Sequence, residues 1–261
     1  MKKILAILAT VGLTTTATTN IMACTPPTTI PVVIPDQDSE TIASVLQKIK
    51  DSDDFKNSSP IDFTFKSTNK RGLSWTKFLA YIKTIKTNLN INAIAPTTRG
   101  TMVHHFAHDW FSDHSLTPAQ VMANNGVVDA DKPDVEGYLT SMDGWLHRND
   151  PNSQWFGSEV KAGVAALNMA GLFDALLYEN GKFIIADFKT DNDKNIKDKF
   201  LPYQLSFYAK ILNAILGHDV FMSGRLIQIK ADGSQYVNYN FELTTLNPQL
   251  NIWLDQYNNT H

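Results

Sequence analysis

Apolar positions recur along this chain with two different periods, and the change of period divides it. Ile42, Val45, Leu46 and Ile49 are spaced three and four apart after Ser39, which predicts an amphipathic helix over 39–50. Ile61, Phe63 and Phe65 alternate with polar residues over 60–67, the period of a half-buried strand. Ser74 opens a second predicted helix to about residue 87, with Phe78, Leu79, Ile82 and Ile85 on one stripe. Gly100 precedes a third over 101–112. The stretch 115–157 mixes Asn, Asp, Pro and Trp without a clean period and is expected to be mostly insertion.

From residue 158 the pattern changes. Segments 172–178 and 182–188 flank Glu179-Asn180-Gly181 and predict a β-hairpin, because Asn-Gly accommodates the positive φ angles of a tight turn. Leu201, Leu205, Tyr208, Leu212 and Ile215 then return to helical spacing over 200–216. Segments 219–230 and 235–243 form a second predicted hairpin around Ala231-Asp232-Gly233-Ser234, and Leu250, Ile252, Trp253 and Leu254 predict a closing helix after Asn247. One segment, 162–177, is apolar enough to be a buried helix; Gly163, Gly171, Asp174 and the turn that follows favour strands. The order of helices and strands, with no internal repeat, predicts an α/β or α+β body.

With 43% hydrophobic and 19% charged residues, the 261-residue chain can bury a core of its own. Lysines and arginines total 23 against 26 acidic residues, so no global positive field holds nucleic acid and any such contact must be local. Residues 1–23 have the layout of an export signal: Lys2 and Lys3, an apolar run from 4 to 13 too short to span a bilayer, then small residues. Cys24 is the single cysteine, which excludes a disulfide within the chain. The leader resembles that of bacterial lipoproteins, which implies lipidation of Cys24 and anchoring to the extracellular face of the cell membrane. A plain signal peptide with an incidental cysteine is the other reading. Pro26, Pro27, Pro31 and Pro35 make 24–40 an expected extended tether to a domain over 41–261.

Three charged residues stand where a core strand should be apolar: Asp174, Asp187 and Lys189. Burying them is costly unless they are paired or hold a metal. Residues two apart in a strand share a face, so Asp187 and Lys189 point one way and Phe188 the other. With the turn at Asn180-Gly181, pairing of residues whose numbers sum to about 361 sets Asp187 opposite Asp174. Two carboxylates there suit a hard divalent cation, and a neighbouring ammonium can polarise a water for attack on phosphorus. A salt-bridged hairpin with no catalytic role satisfies the same pattern.

Gly171-Leu172-Phe173-Asp174, Ile184-Ile185-Ala186-Asp187-Phe188-Lys189-Thr190 and Gln204-Leu205-Ser206-Phe207-Tyr208 resemble the successive motifs G-x-x-D, hydrophobic-D-x-K-T and Q-L-x-x-Y of the RecB-like PD-(D/E)xK nucleases. Upstream, Gly100-Thr101-Met102-Val103-His104 resembles the G-T-x-x-H helix of that family and Leu73-Ser74-Trp75-Thr76 its L-S-x-S/T helix start. Glu159 is similar to an acidic residue often found ahead of the first strand. The likeness runs from about 73 to 216. It implies a restriction-endonuclease-like core, a mixed central β-sheet flanked by helices, that cuts DNA with Mg²⁺ or Mn²⁺. It also implies that His104, Asp174, Asp187 and the Phe188 carbonyl hold metal, that Lys189 holds the attacking water, and that Gln204 and Tyr208 brace the site and touch the DNA strand. The family's iron-sulfur signature is absent, since no cysteine follows Cys24.

Two rival readings differ in class. His104 and His108 lie one helical turn apart, a possible zinc pair, but His105 stands where a zinc protease needs its glutamate base. A non-catalytic surface lipoprotein, a binding module or adhesin, retains the nuclease-like fold without turnover; the complete Asp174, Asp187 and Lys189 set argues against it.

Overall fold

The computed structural model describes residues 41–52, 54–59, 62–87, 98–129, 131–148, 150–190 and 199–260. The expected leader, Cys24 and the expected tether lie outside these. Seven helices are seen among the described residues: α1 (Ile42–Asp51), α2 (Trp75–Thr87), α3 (Thr98–Ser112), α4 (Pro118–Asn124), α5 (Lys132–Leu146), α6 (Leu201–Leu216) and α7 (Asn247–Asn258). Eight strands accompany them: β1 (Phe55–Ser59), β2 (Asp62–Phe65), β3 (Arg71–Gly72), β4 (Ser153–Val164), β5 (Met169–Glu179), β6 (Lys182–Lys189), β7 (Phe221–Gln228) and β8 (Val237–Glu242).

The central sheet has the order β4-β5-β6-β7-β8, antiparallel throughout except between β6 and β7. Parallel neighbours need a long crossover, and α6 supplies it. Asn180 at φ 51° and Gly181 at φ 79° form the tight β5–β6 turn, and the register Ala175↔Ala186 and Leu176↔Ile185 has the expected sum of 361. The β7–β8 hairpin also forms as the pattern predicts.

Alternation along β6 sends its side chains to two separate cores. Phe183 and Ile185 pack with Val45 of α1, Phe78 of α2, Leu205 of α6 and Leu250 of α7. Ile184, Ala186 and Phe188 pack with Val103 of α3, Val121 of α4 and Trp145 of α5. Each fully buried phenylalanine or leucine contributes about 1.5–3 kcal/mol to this two-sided arrangement. A small antiparallel sheet, β1-β2-β3, buries Phe55, Phe63 and Phe65 against Ala170 and is tied to β5 by the Leu73↔Met169 bridge.

Two differences from the sequence reading have physical causes, and 162–177 is chiefly strand, as its glycines and the turn that follows favour. The stretch 115–157, without a clean period, contains α4 and α5, and Val121, Leu139 and Trp145 enter the second core. Its helices start by local chemistry instead: Thr117 and Gln120 form a reciprocal capping box, with Pro118 in the first turn. Segment 162–177 is strand on both sides of a short 3-10 turn over Ala165–Leu167 that ends at Asn168, φ 53°. Finally, β4 precedes β5 in the sheet, so Glu159 lies inside a strand, not ahead of the first one. Its alternation is broken by a register shift between Trp155 and Gly157 and by the φ of 48° at Glu159, which hides the period.

Candidate active site

The β5–β6 ladder stops at Ala175↔Ala186, while β5 stays paired with β4 to Met169 and β6 with β7 to Lys189. The sheet therefore opens between β5 and β6 at Asp174 and Asp187. Where the ladder stops, backbone groups lose their partners, and a buried N–H left unpaired is costly. Asp174 answers this: its Oδ2 accepts the Phe188 N–H at 2.8 Å.

The other oxygen of Asp174 faces α3. Nδ1 of His104 lies 3.1 Å from Oε1 of Glu159 and 3.4 Å from Oδ1 of Asp174. Phe188 sits edge-on to the His104 ring at 6.4 Å and packs on Trp145, holding the imidazole from the α5 side. The positive φ at Glu159 departs from regular strand geometry at the residue whose carboxylate reaches this histidine.

A second group lies on the α6 side. Nζ of Lys189 is 2.5 Å from Oδ2 of Asp187, as same-face neighbours in a strand permit, and donates to Oε1 of Gln204 at 3.1 Å. The Gln204 amide donates from Nε2 to Oδ1 of Asp187 at 2.8 Å and to the Tyr208 hydroxyl at 3.0 Å. Gln204 and Tyr208 are four apart on α6, hence on one face. The G-x-x-D spacing has a packing reason as well: a Cβ at Gly171 would lie 2.9 Å from the Phe173 ring and 3.0 Å from the Tyr208 ring.

Electrostatics favour a proton or another cation at the centre. Burial works against a charged His104, but Asp174, Glu159 and Asp187 outweigh it and raise its pKa to about 9. Burial pushes the Asp174 carboxyl up, reinforced by the negative charges of Asp187 and Glu159 and opposed by His104 and Lys189. Tyr208 is raised well above its ordinary value by burial and by Asp187 and Asp174, so it stays a neutral hydroxyl.

One ligand atom each from His104, Glu159 and Asp174 lie within 4.8 Å of one another. The Nδ1 proton of the imidazolium is aimed at both carboxylates; its loss leaves a lone pair aimed at the same point. Two carboxylates and one imidazole form a donor set fit for a divalent cation. Asp187 adds a buried Oδ2 that makes no aligned hydrogen bond, although Lys189 is its near neighbour.

The structure thus gathers His104, Glu159 and Asp174 at one edge of the opening and Asp187, Lys189, Gln204 and Tyr208 at the other. Glu159 is more central than its sequence position implies, because only the β4–β5 pairing and the fold of α3 bring it to His104. His108 is exposed and outside the group of His104, Glu159 and Asp174, and His105 is exposed and bonded to Asn125 at 2.7 Å.

Residues 76–239 match the sequence pattern of the PD-(D/E)XK nuclease superfamily. No curated protein is significantly similar to the chain. Among solved structures, the crystal structure of SSO0001 is similar at 17% identity over 70% of this chain and 85% of that one, with a TM-score of 0.28. The family match covers more than half of the chain, including Asp174, Asp187 and Lys189. This chain belongs to the PD-(D/E)XK nuclease superfamily, and its mixed five-stranded sheet flanked by helices is a restriction-endonuclease-like fold.

Proposed function

We propose that the protein is a metal-dependent nuclease of the RecB-like type that hydrolyses phosphodiester bonds in DNA with Mg²⁺ or Mn²⁺. The observation that carries this reading is the pairing of a His104, Glu159 and Asp174 donor cluster with Asp187 and Lys189 across one opening in the sheet. Members of this superfamily generally use divalent metals. The DNA substrate and the subtype rest on the motifs at 100–104, 171–174, 184–190 and 204–208.

His104, Asp174, Asp187 and the Phe188 carbonyl would hold the cation, with Glu159 as a further carboxylate. Such an ion supplies neutralisation of phosphate charge and acidification of a water. His104 releases its Nδ1 proton to become a donor. Lys189, fixed between Asp187 and Gln204, presents an ammonium that orients a water toward phosphorus. Its side chain is 18% exposed, so it reaches the surface from a buried anchor. Tyr208 stays protonated and, through Gln204, keeps Asp187 and Lys189 in register.

Export and lipidation at Cys24 would place this site outside the cell on a proline-rich tether. The support is the leader sequence. Cys24→Ser should release the protein or leave its leader uncut. Wild-type protein recovered from the cytoplasm with an intact leader would reject this location.

The activity is tested by incubating purified protein with linear and circular DNA in Mg²⁺, Mn²⁺ or EDTA. Cleavage that needs the metal is expected. No cleavage of either DNA in either metal overturns the reading.

A further inference from the structure

A cleft of about 830 Å³ opens between α5, the segment that follows it, and the β7–β8 hairpin, and it shares no residue with the catalytic group. Its walls are firmly placed. Gly137 of α5 approaches the carbonyl oxygen of Ala231 so closely that a Cβ would lie 1.7 Å from it, and Ser141 accepts the Lys230 N–H at 3.0 Å.

Two of the four arginines of the chain line this cleft. Arg225, 7% exposed, is held in a bidentate pair by Glu179, 2.8 Å at each contact, and its Nε donates to Asn240 at 2.7 Å. Arg148 differs. It lies flat on the Trp145 ring at 3.8 Å, and Nη1 donates to the Trp145 carbonyl at 2.9 Å. No carboxylate among the described residues forms an ion pair with it.

The two guanidinium groups of the cleft are engaged differently. Arg225 is used up within the wall by both Glu179 oxygens and Asn240 Oδ1. Arg148 spends one N–H on the Trp145 carbonyl, and the rest of its fork is left on the lining. Burial works against the Arg148 charge, and Arg225 adds to this; Tyr236, Asp150 and Glu179 offset them only in part. A half-buried guanidinium that forms no ion pair and keeps part of its fork on the cleft lining is complementary to a phosphate oxygen.

We propose that this cleft binds an organic phosphate, a phosphate monoester on a polar body, with Arg148 gripping the phosphate. The cleft is much larger than a phosphate ion and falls in the range of small-molecule sites, ~300–1,000 Å³. The phosphate can come from a free nucleotide or from the 5′ end of a nucleic-acid strand, and the same chemistry recognises both.

The test is calorimetric titration of the whole protein in EDTA, which removes metal-held phosphate from consideration. The probes are deoxyadenosine 5′-monophosphate, deoxyadenosine, and a short oligonucleotide with and without a 5′-phosphate. Binding of the monophosphate but not the nucleoside identifies a free nucleotide site. Binding only of the 5′-phosphorylated oligonucleotide identifies a strand-end site. In either case Arg148→Ala should weaken binding about tenfold or more, as loss of a charged hydrogen bond does. Arg148→Lys, which keeps the charge without the planar fork, should fall between and serves if the alanine variant folds poorly. Equal affinity for phosphorylated and unphosphorylated probes, unchanged affinity in both Arg148 variants, or no binding by wild type overturns the proposal. DNA cleavage is measured separately in Mn²⁺, so failure of the nuclease reading is distinguishable from failure here.

Discussion

The Phe188 N–H donates to Oδ2 of Asp174 at 2.8 Å, just beyond Ala175↔Ala186, the last pair of the β5–β6 ladder. A carboxylate thus replaces a strand carbonyl as acceptor, and its other oxygen is left to face His104 at 3.4 Å. This one contact both ends the ladder and aims a carboxylate oxygen at His104.

Asp174 therefore has a structural duty separable from its charge. Asp174→Asn keeps an oxygen that can accept from Phe188, whereas Asp174→Ala orphans a buried N–H. The alanine variant should be less stable than the asparagine variant by about 1–3 kcal/mol in denaturant titrations without metal. Equal stabilities would show that the bond to Phe188 contributes nothing.

Asp187→Asn and Lys189→Ala should each lower DNA cleavage by at least about a hundredfold, one by loss of carboxylate charge and the other by loss of the ammonium. Both should melt cooperatively, since Gln204 can still bond the residue that remains. Near wild-type turnover in either variant would reduce this edge of the site to a structural ion pair.

On α3, neighbouring histidines should behave differently because about 100° separates successive residues. His104→Ala should weaken Mn²⁺ binding by about tenfold or more, while His105→Ala, whose ring is exposed and bonded to Asn125, should leave it unchanged. Titration of Mn²⁺ followed by calorimetry separates the two, and the opposite order of effects would misplace the ligand.

The pH dependence of the metal-free protein follows from His104. Its folded pKa of about 9 is above the ordinary 6.5, so the protonated ring stabilises the fold fully below about pH 6.5. That stabilisation declines as pH rises and is lost through pH 9. The raised Asp174 carboxyl acts with the same sign, because folding favours its proton too. Melting temperature in EDTA should therefore fall more steeply between pH 6.5 and 9 for wild type than for His104→Gln. Metal affinity should rise over the same window, since the ring must lose its proton to coordinate. Parallel melting curves for the two proteins would contradict the assignment.

Gly171→Ala tests the packing beneath the site. The new Cβ would meet the Phe173 and Tyr208 rings at 2.9–3.1 Å, so one of two buried aromatics must move. A loss of about 1–3 kcal/mol is expected. Activity should drop as well, because Tyr208 holds Gln204. Wild-type stability would mean that the helix yields at little cost.

The β5–β6 hairpin was legible along the chain because its determinants are local: a two-residue turn with positive φ, alternating apolar residues, and charges that break the alternation at Asp174, Asp187 and Lys189. Helices α1, α2, α6 and α7 were legible for a similar reason, since a single apolar stripe facing one core leaves a period. The long, irregular β4 was not, because its register shift and the left-handed Glu159 erase the alternation on which recognition depends. Helices α4 and α5 lie among turn residues, and their buried side chains become a core only when Phe188 and Ile227 supply the other wall. The motifs therefore identified the superfamily and most of the side chains that gather at the opening in the sheet. Which carboxylates meet was decided by tertiary structure: Glu159 reaches His104 across 55 positions, through strand pairing and helix packing that leave no local trace.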